Sequence, residues 1–317
     1  MKYRSAVTAL VALLASTAPA VAASVGFERI AVPDADGRPR PVAIWYPTDA
    51  RPSAQPIGPY SHEVAVGAPM LGHGRPLVLI LHGHGGSLEN HFATALALTD
   101  AGFVAASIGH GPEMSLVART RHVARVIDHL VGGWRHRSRL DPTQIGIYGF
   151  SIGAFTGLVT IGGTPDLTRV APYCAQHADR VCAILRDRTF ETSVPTSAWA
   201  HDTRIKAAVL AAPTLAFTFP PDDLALLTVP IQLWRPVDDD VTPHPRNAQV
   251  IYDALALKPE YVEVPHAGHF AFVACNAEVA RRAPPVCRDA PEFDREAFHR
   301  AFHRAVVRFF TTRLAGR

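Results

Sequence analysis

The sequence predicts an α/β domain with a mostly parallel central sheet and helices on both faces. Three observations point to it. Short runs of consecutive apolar residues recur along the chain at residues 77–81, 103–108, 145–148, 207–212, 231–234 and 261–264. Such runs suit strands buried on both faces. Between them lie segments long enough for crossover helices, at 90–101, 116–131, 154–162 and 246–257, and this alternation implies parallel strands joined by helices. Ahead of the first run, residues 27–32 and 41–46 flank Asp36-Gly37, which predicts an antiparallel hairpin on the edge of the sheet.

The N-terminus reads as an export signal. Lys2 and Arg4 precede an uncharged stretch over 5–23, and Ala20-Val21-Ala22 offers small residues for cleavage near Ala22 or Ala23. The stretch is diluted by Ser16, Thr17 and Pro19, whereas a membrane span needs about 20 strongly apolar residues. No cysteine lies in it, so a lipid anchor is not expected. The expected protein is periplasmic or secreted, without a membrane anchor after cleavage. Residues 24–317 read as one domain, since the 27 prolines are scattered and no linker or repeat stands out. A net charge of +3 with interspersed signs gives no reason to expect nucleic acid or anionic lipid as a partner.

Four cysteines follow the signal as two local pairs, Cys174 with Cys182 and Cys275 with Cys287. In an exported chain an even number favours disulfides. Three pairings are formally possible and proximity favours the local ones, each worth about 2 to 3 kcal/mol by loop entropy; four reduced thiols are the alternative. Neither pair has the spacing of a C-x-x-C redox or zinc site. The segment 164–204, which contains one pair, fits neither strand nor helix patterning and is placed as a small cap or lid would be. At the C-terminus Phe298, Phe302, Val306, Phe309 and Phe310 recur every three to four residues within 294–314. This predicts an amphipathic helix closing the core, with His299 and His303 on its surface.

The chemistry centres on Gly149-Phe150-Ser151-Ile152-Gly153, where the apolar run 145–148 gives way to a helical one. A serine in a tight strand-to-helix turn, with glycines letting the two elements approach, is a nucleophile elbow; the plainer alternative is an ordinary turn serine. A serine nucleophile needs a base held by a carboxylate. Both follow at strand ends: Asp238-Asp239-Asp240 after 231–234, and Pro265-His266-Ala267-Gly268-His269 after 261–264. The amide of Ile152 and one from His82-Gly83-His84-Gly85-Gly86, nominated as that of His84, could form an oxyanion hole. His266 and His82 are expected to be structural, packing or hydrogen-bonding around the site. Trp45, Tyr46 and Phe150 are expected in the core or as walls.

The order serine, acid, histidine is that of the α/β-hydrolase fold. The chain resembles α/β-hydrolases of the dienelactone hydrolase type, and more narrowly bacterial relatives of platelet-activating-factor acetylhydrolase. The matching features are Val42-Ala43-Ile44-Trp45-Tyr46-Pro47, His82-Gly83-His84-Gly85-Gly86, Asp141-Pro142 before the elbow, His269-Phe270-Ala271-Phe272 and Phe293-Asp294-Arg295. Dienelactone hydrolases proper use a cysteine nucleophile; Ser151 stands in its place and argues against that substrate. In the acetylhydrolase the acid follows an earlier strand, whose counterpart here ends in Pro213-Thr214 with no carboxylate. The resemblance therefore puts the acid in the 238–240 cluster, and its Asp-x-x-x-Pro spacing selects Asp239 with Pro243.

These readings converge on a serine hydrolase acting on small carboxylic esters through an acyl-enzyme, with Ser151, His269 and Asp239 catalytic and no cofactor or metal implied. Lipase, polyesterase and lactonase activities would use the same residues. A metallohydrolase, suggested by His82-x-His84, would need further ligands that Gly85-Gly86-Ser87-Leu88 does not supply. A non-catalytic binding protein on a hydrolase scaffold is the remaining alternative.

Overall fold

In the computed structural model, which describes residues 24–111, 113–186 and 192–315, ten strands make one sheet. They are β1 (Ser24–Pro33), β2 (Pro39–Thr48), β3 (Ser53–Ile57), β4 (Tyr60–Val66), β5 (Arg75–Leu81), β6 (Val104–Ile108), β7 (Leu140–Phe150), β8 (Ile205–Ala211), β9 (Ile231–Pro236) and β10 (Glu260–Val264). Their order across the sheet is β10-β9-β8-β7-β5-β6-β2-β1-β4-β3. From β6 to β10 neighbouring strands run parallel, while β2 pairs antiparallel with both β6 and β1. The expected signal over 1–23 lies outside the described residues. Among the described residues no helix is long and apolar enough to cross a membrane.

The apolar runs alternate between two cores. Leu77, Leu79 and Leu81 of β5 face one hydrophobic cluster and Val78 and Ile80 the other, which is why the run is apolar at every position rather than every second one. Helices α1 (Phe92–Asp100), α2 (Leu116–Gly132), α3 (Ile152–Thr160), α4 (Val170–Gln176), α5 (Arg180–Arg186), α6 (Pro221–Ala225), α7 (Ala248–Ala254), α8 (Ala277–Arg282) and α9 (Arg295–Phe310) cover the sheet. Residues of α2, α3 and α7 fill the first core; those of α1 and α9 fill the second. The C-terminal helix is capped by Asp294, whose side chain accepts from the Ala297 amide, and buries Phe302, Val306, Phe309 and Phe310. Trp45, Tyr46 and Phe150 are buried in these cores.

Three expectations need correction. The β1–β2 hairpin is not on the edge, because a second antiparallel hairpin, β3–β4, extends the sheet beyond it. His299 and His303 are half-buried rather than on the surface: a ring nitrogen of His299 meets the Ala271 carbonyl at 2.7 Å, and both rings pack among Phe298 and Phe302. His266 lies exposed in a turn at φ 59°, not packed around the site. Both local disulfides are formed, Cys174–Cys182 and Cys275–Cys287.

Burial holds many of the histidines neutral. It lowers His82 and His303 to about 4 and His91 to about 3, against about 6.5 for a free imidazole. Below pH 6.5 the unfolded chain therefore binds more protons than the folded one, so stability that is complete above 6.5 declines as the pH falls toward 4. The urea midpoint should drop between pH 7.5 and pH 4.5; an unchanged midpoint would contradict this account.

Candidate active site

The sheet changes direction of winding at β5: the chain moves outward from β5 to β6, then crosses to β7 on the other side. In open α/β sheets such a switch point leaves a crevice at the carboxyl ends of the strands. The loop 82–86 follows β5 there, and Ser151 follows β7.

Ser151 sits between β7 and α3 at φ 55° and ψ −118°, a region a residue with a Cβ seldom occupies. The surroundings hold it there. Its amide donates to the Ala211 carbonyl at 2.9 Å, and its own carbonyl accepts from Ala154 and Phe155 of α3. The two glycines of the motif are required by close approach. A Cβ at Gly149 would strike the backbone of Gly153, and one at Gly153 would strike the Leu81 carbonyl at the end of β5. Helix α3 thus leaves the sheet directly over the β5 terminus, which leaves the serine in the lining of the cavity at the strand ends.

His269 opens a short 3-10 turn, His269–Phe272, after β10. Its Nε2 lies 3.0 Å from Ser151 Oγ, and its Nδ1 lies 2.8 Å from Asp239 Oδ2. All three side chains are buried. The turn is clamped from behind: the Arg295 guanidinium donates to the carbonyls of Phe270 at 2.8 Å and Val273 at 2.6 Å while pairing with Asp289. Asp239 Oδ1 accepts from the amides of Val241 and Thr242, and Oδ2 also accepts from the Thr242 hydroxyl at 2.6 Å. Burial by itself would raise this carboxyl, but His269 beside it and the bonds from His269 and Thr242 outweigh burial and keep it below its ordinary value. The loops of acid and histidine are stitched together by Asp238 N–H to the Ala267 carbonyl, 3.0 Å. Of the three adjacent aspartates, Asp238 is exposed and Asp240 is an exposed partner of Arg180; only Asp239 turns inward.

Ser151 opens onto a cavity of about 640 Å³, within the range of small-molecule sites. Ile152 and His84 line it too; Ile152 begins α3, where the first amides lack intrahelical partners. Much of the far wall comes from the 164–204 segment, through Leu167, Val181, Ile184, Leu185 and Val194; residues 187–191 of that segment lie outside the described ones. The wall is tied down by Cys174–Cys182 and by Arg246, which pairs with Asp179 at 2.8 Å and meets the Tyr173 hydroxyl at 2.9 Å. His82 lies beneath the loop after β5. Its Nε2 accepts from the His110 amide at 3.2 Å, which leaves Nδ1 carrying the proton donated to the Gly83 carbonyl at 2.8 Å. Both ring nitrogens are occupied by backbone, so His82 does not pair with His84 as a ligand. Among the described residues no three His, Cys, Asp or Glu side chains are grouped to hold a metal ion.

Sequence reasoning missed His110 and Arg119, both buried and both lining the cavity. A signal existed for the second. Arg119 falls on the apolar stripe of α2, between Leu116 and Val123, where a charge is unexpected.

Comparison with solved structures bears on the architecture. A ferulic acid esterase from Streptomyces cinnamoneus superposes with a TM-score of 0.64, covering 96% of this chain and 93% of that one at 18% identity. The fold is that of the α/β-hydrolases. No family model matches this α/β-hydrolase-fold chain. The protein named "Putative esterase NocK" of Nocardia uniformis subsp. tsuyamanensis is 30% identical over 176 residues, which take in 46% of this chain and 50% of that protein. The chain thus matches about half the length of this curated relative.

The packing of α3 on β5 gives a test. Gly153→Ala forces a side chain into backbone and should cost about 3 kcal/mol or more, at the upper end of overpacking. A thermal unfolding midpoint equal to that of the parent protein would show that the approach is looser than described.

Proposed function

We propose that the protein is a carboxylic-ester hydrolase of the serine type, exported by its N-terminal segment and acting on small esters. One observation carries the reading: the unbroken chain of hydrogen bonds from Ser151 Oγ through both ring nitrogens of His269 to the buried Asp239. The esterase name of the Nocardia relative and the ferulic acid esterase whose fold this chain shares both support an ester as the bond cleaved.

In this mechanism Ser151 Oγ attacks the ester carbonyl carbon while its proton passes to His269 Nε2. The oxyanion is held by the amides of Ile152 and His84. The intermediate collapses, the C–O bond to the alcohol breaks, and the alcohol leaves with the proton from His269. Water then adds to the acyl-enzyme by the same route, freeing the acid and restoring Ser151. Asp239, ionised and fully hydrogen-bonded, keeps the proton of His269 on Nδ1 and stabilises the imidazolium. Leu167, Val181, Ile184, Leu185 and Val194 of the cap segment, as the apolar wall of the cavity, select the substrate.

Ser151→Ala should lower kcat on a chromogenic acetyl or butyryl ester by roughly three orders of magnitude or more with an unchanged unfolding midpoint. Retained turnover in that variant would reject the serine mechanism.

A further inference from the structure

The cavity has a second polar element that this mechanism does not use. Arg119 is 5% exposed and His110 is 5% exposed, and both line the cavity that Ser151 opens onto. Among the described residues the Arg119 side chain makes one hydrogen bond, Nη2 to the His82 carbonyl at 3.0 Å, and its buried Nε has no partner. Among the described residues neither ring nitrogen of His110 has a partner. Bracing the His82 carbonyl takes one of the five guanidinium N–H groups. Of the rest, the Nε donor is buried without a partner among the described residues, and an unsatisfied buried donor is costly.

The charge is equally unbalanced. Burial lowers Arg119 only to about 10, so it is cationic at neutral pH. Around it His82 and His110, with His122 behind them, are held neutral by burial, and Arg119 itself adds to the effect on the first two. Among the described residues no carboxylate pairs with it. Glu113, on the same cavity, is engaged by Arg40, as is Asp34. A buried arginine without a counter-ion is expensive, and an anion in the cavity would offset that cost at the guanidinium.

The position is close to the proposed nucleophile. The His82 carbonyl that Arg119 grips lies against Gly153, two residues beyond Ser151, and Gly83 next to it would bring a Cβ to 3.4 Å from Ser151 Cβ. We propose that Arg119 and His110 form a carboxylate subsite, so that the preferred substrates are esters carrying a free carboxylate a few bonds from the scissile carbonyl, with their apolar part against the cap wall. This rests on the ester-hydrolase reading above.

The test compares charged and neutral substrates of matched shape. On the acyl side these are the 4-nitrophenyl half esters of glutarate, adipate and pimelate against neutral esters in which a branched methyl terminus replaces the carboxylate. On the alcohol side they are 4-acetoxybenzoate against its methyl ester. In one of the two series kcat/KM should favour the anion by about tenfold or more, the scale of a charge-assisted hydrogen bond. That ratio should collapse in Arg119→Met and recover in part in Arg119→Lys. Equal or lower kcat/KM for the anions in both series would overturn the subsite and leave ester hydrolysis standing. If the parent protein cleaves none of these esters, the ester reading fails, and calorimetry with glutarate, adipate, pimelate and 4-hydroxybenzoate decides the subsite: binding that Arg119→Met abolishes supports it, and no binding overturns it.

Discussion

The contact between helix α3 and the end of β5 at Gly153 is the constraint on which the site is built. Because nothing larger than a hydrogen fits between that glycine and the Leu81 carbonyl, the chain must leave β7 through a turn too tight for ordinary backbone angles. Ser151 absorbs the turn at φ 55°. Strain of this kind persists only where the surroundings over-determine it, and here they do. The Ala211 carbonyl, the first turn of α3 and the buried β7–β8 pairing fix the residue from three sides.

The rest of the site is arranged around that point by strand ends. Strands β9 and β10 run parallel beyond β8, so their terminal loops emerge on the same edge as the serine. The Asp238–Ala267 backbone bond joins the two loops, and the Arg295 clamp holds the histidine turn from below. The precision needed at the imidazole is supplied by backbone and by the half-buried Arg295–Asp289 pair as well as by the imidazole's own two bonds. The far wall of the cavity is tied to the same region, since Arg180 reaches Asp240 and Arg246 reaches Asp179.

Much of this was legible in the sequence because strong local rules agreed with the global fold. Consecutive apolar runs marked the doubly buried strands, and G-x-S-x-G carried its own steric reason. Serine, aspartate and histidine stood at the ends of three such runs. What could not be read depends on neighbours distant in the chain. Ser53-Ala54-Gln55-Pro56 has weak strand character, and it pairs only because Tyr60–Val66 folds back on it. Nothing local separates Asp239 from Asp238 and Asp240; resemblance selected it, and in the structure the Val241 and Thr242 amides turn it inward. His299 and His303 look solvent-facing on a helical wheel, yet the turn after His269 packs over that side of α9. His110 and Arg119 become a pair only when β6 and α2 converge behind the loop after β5.

The central claim is that the serine at the elbow is a nucleophile activated by the histidine against it. Labelling with a fluorophosphonate ester, followed by peptide mass spectrometry, tests this most directly. The account predicts one adduct, on Ser151, formed rapidly in the parent protein and at least a hundredfold more slowly in His269→Ala, roughly the lower end of what a general base contributes. An adduct on another residue, or labelling at an undiminished rate without the imidazole, would contradict it.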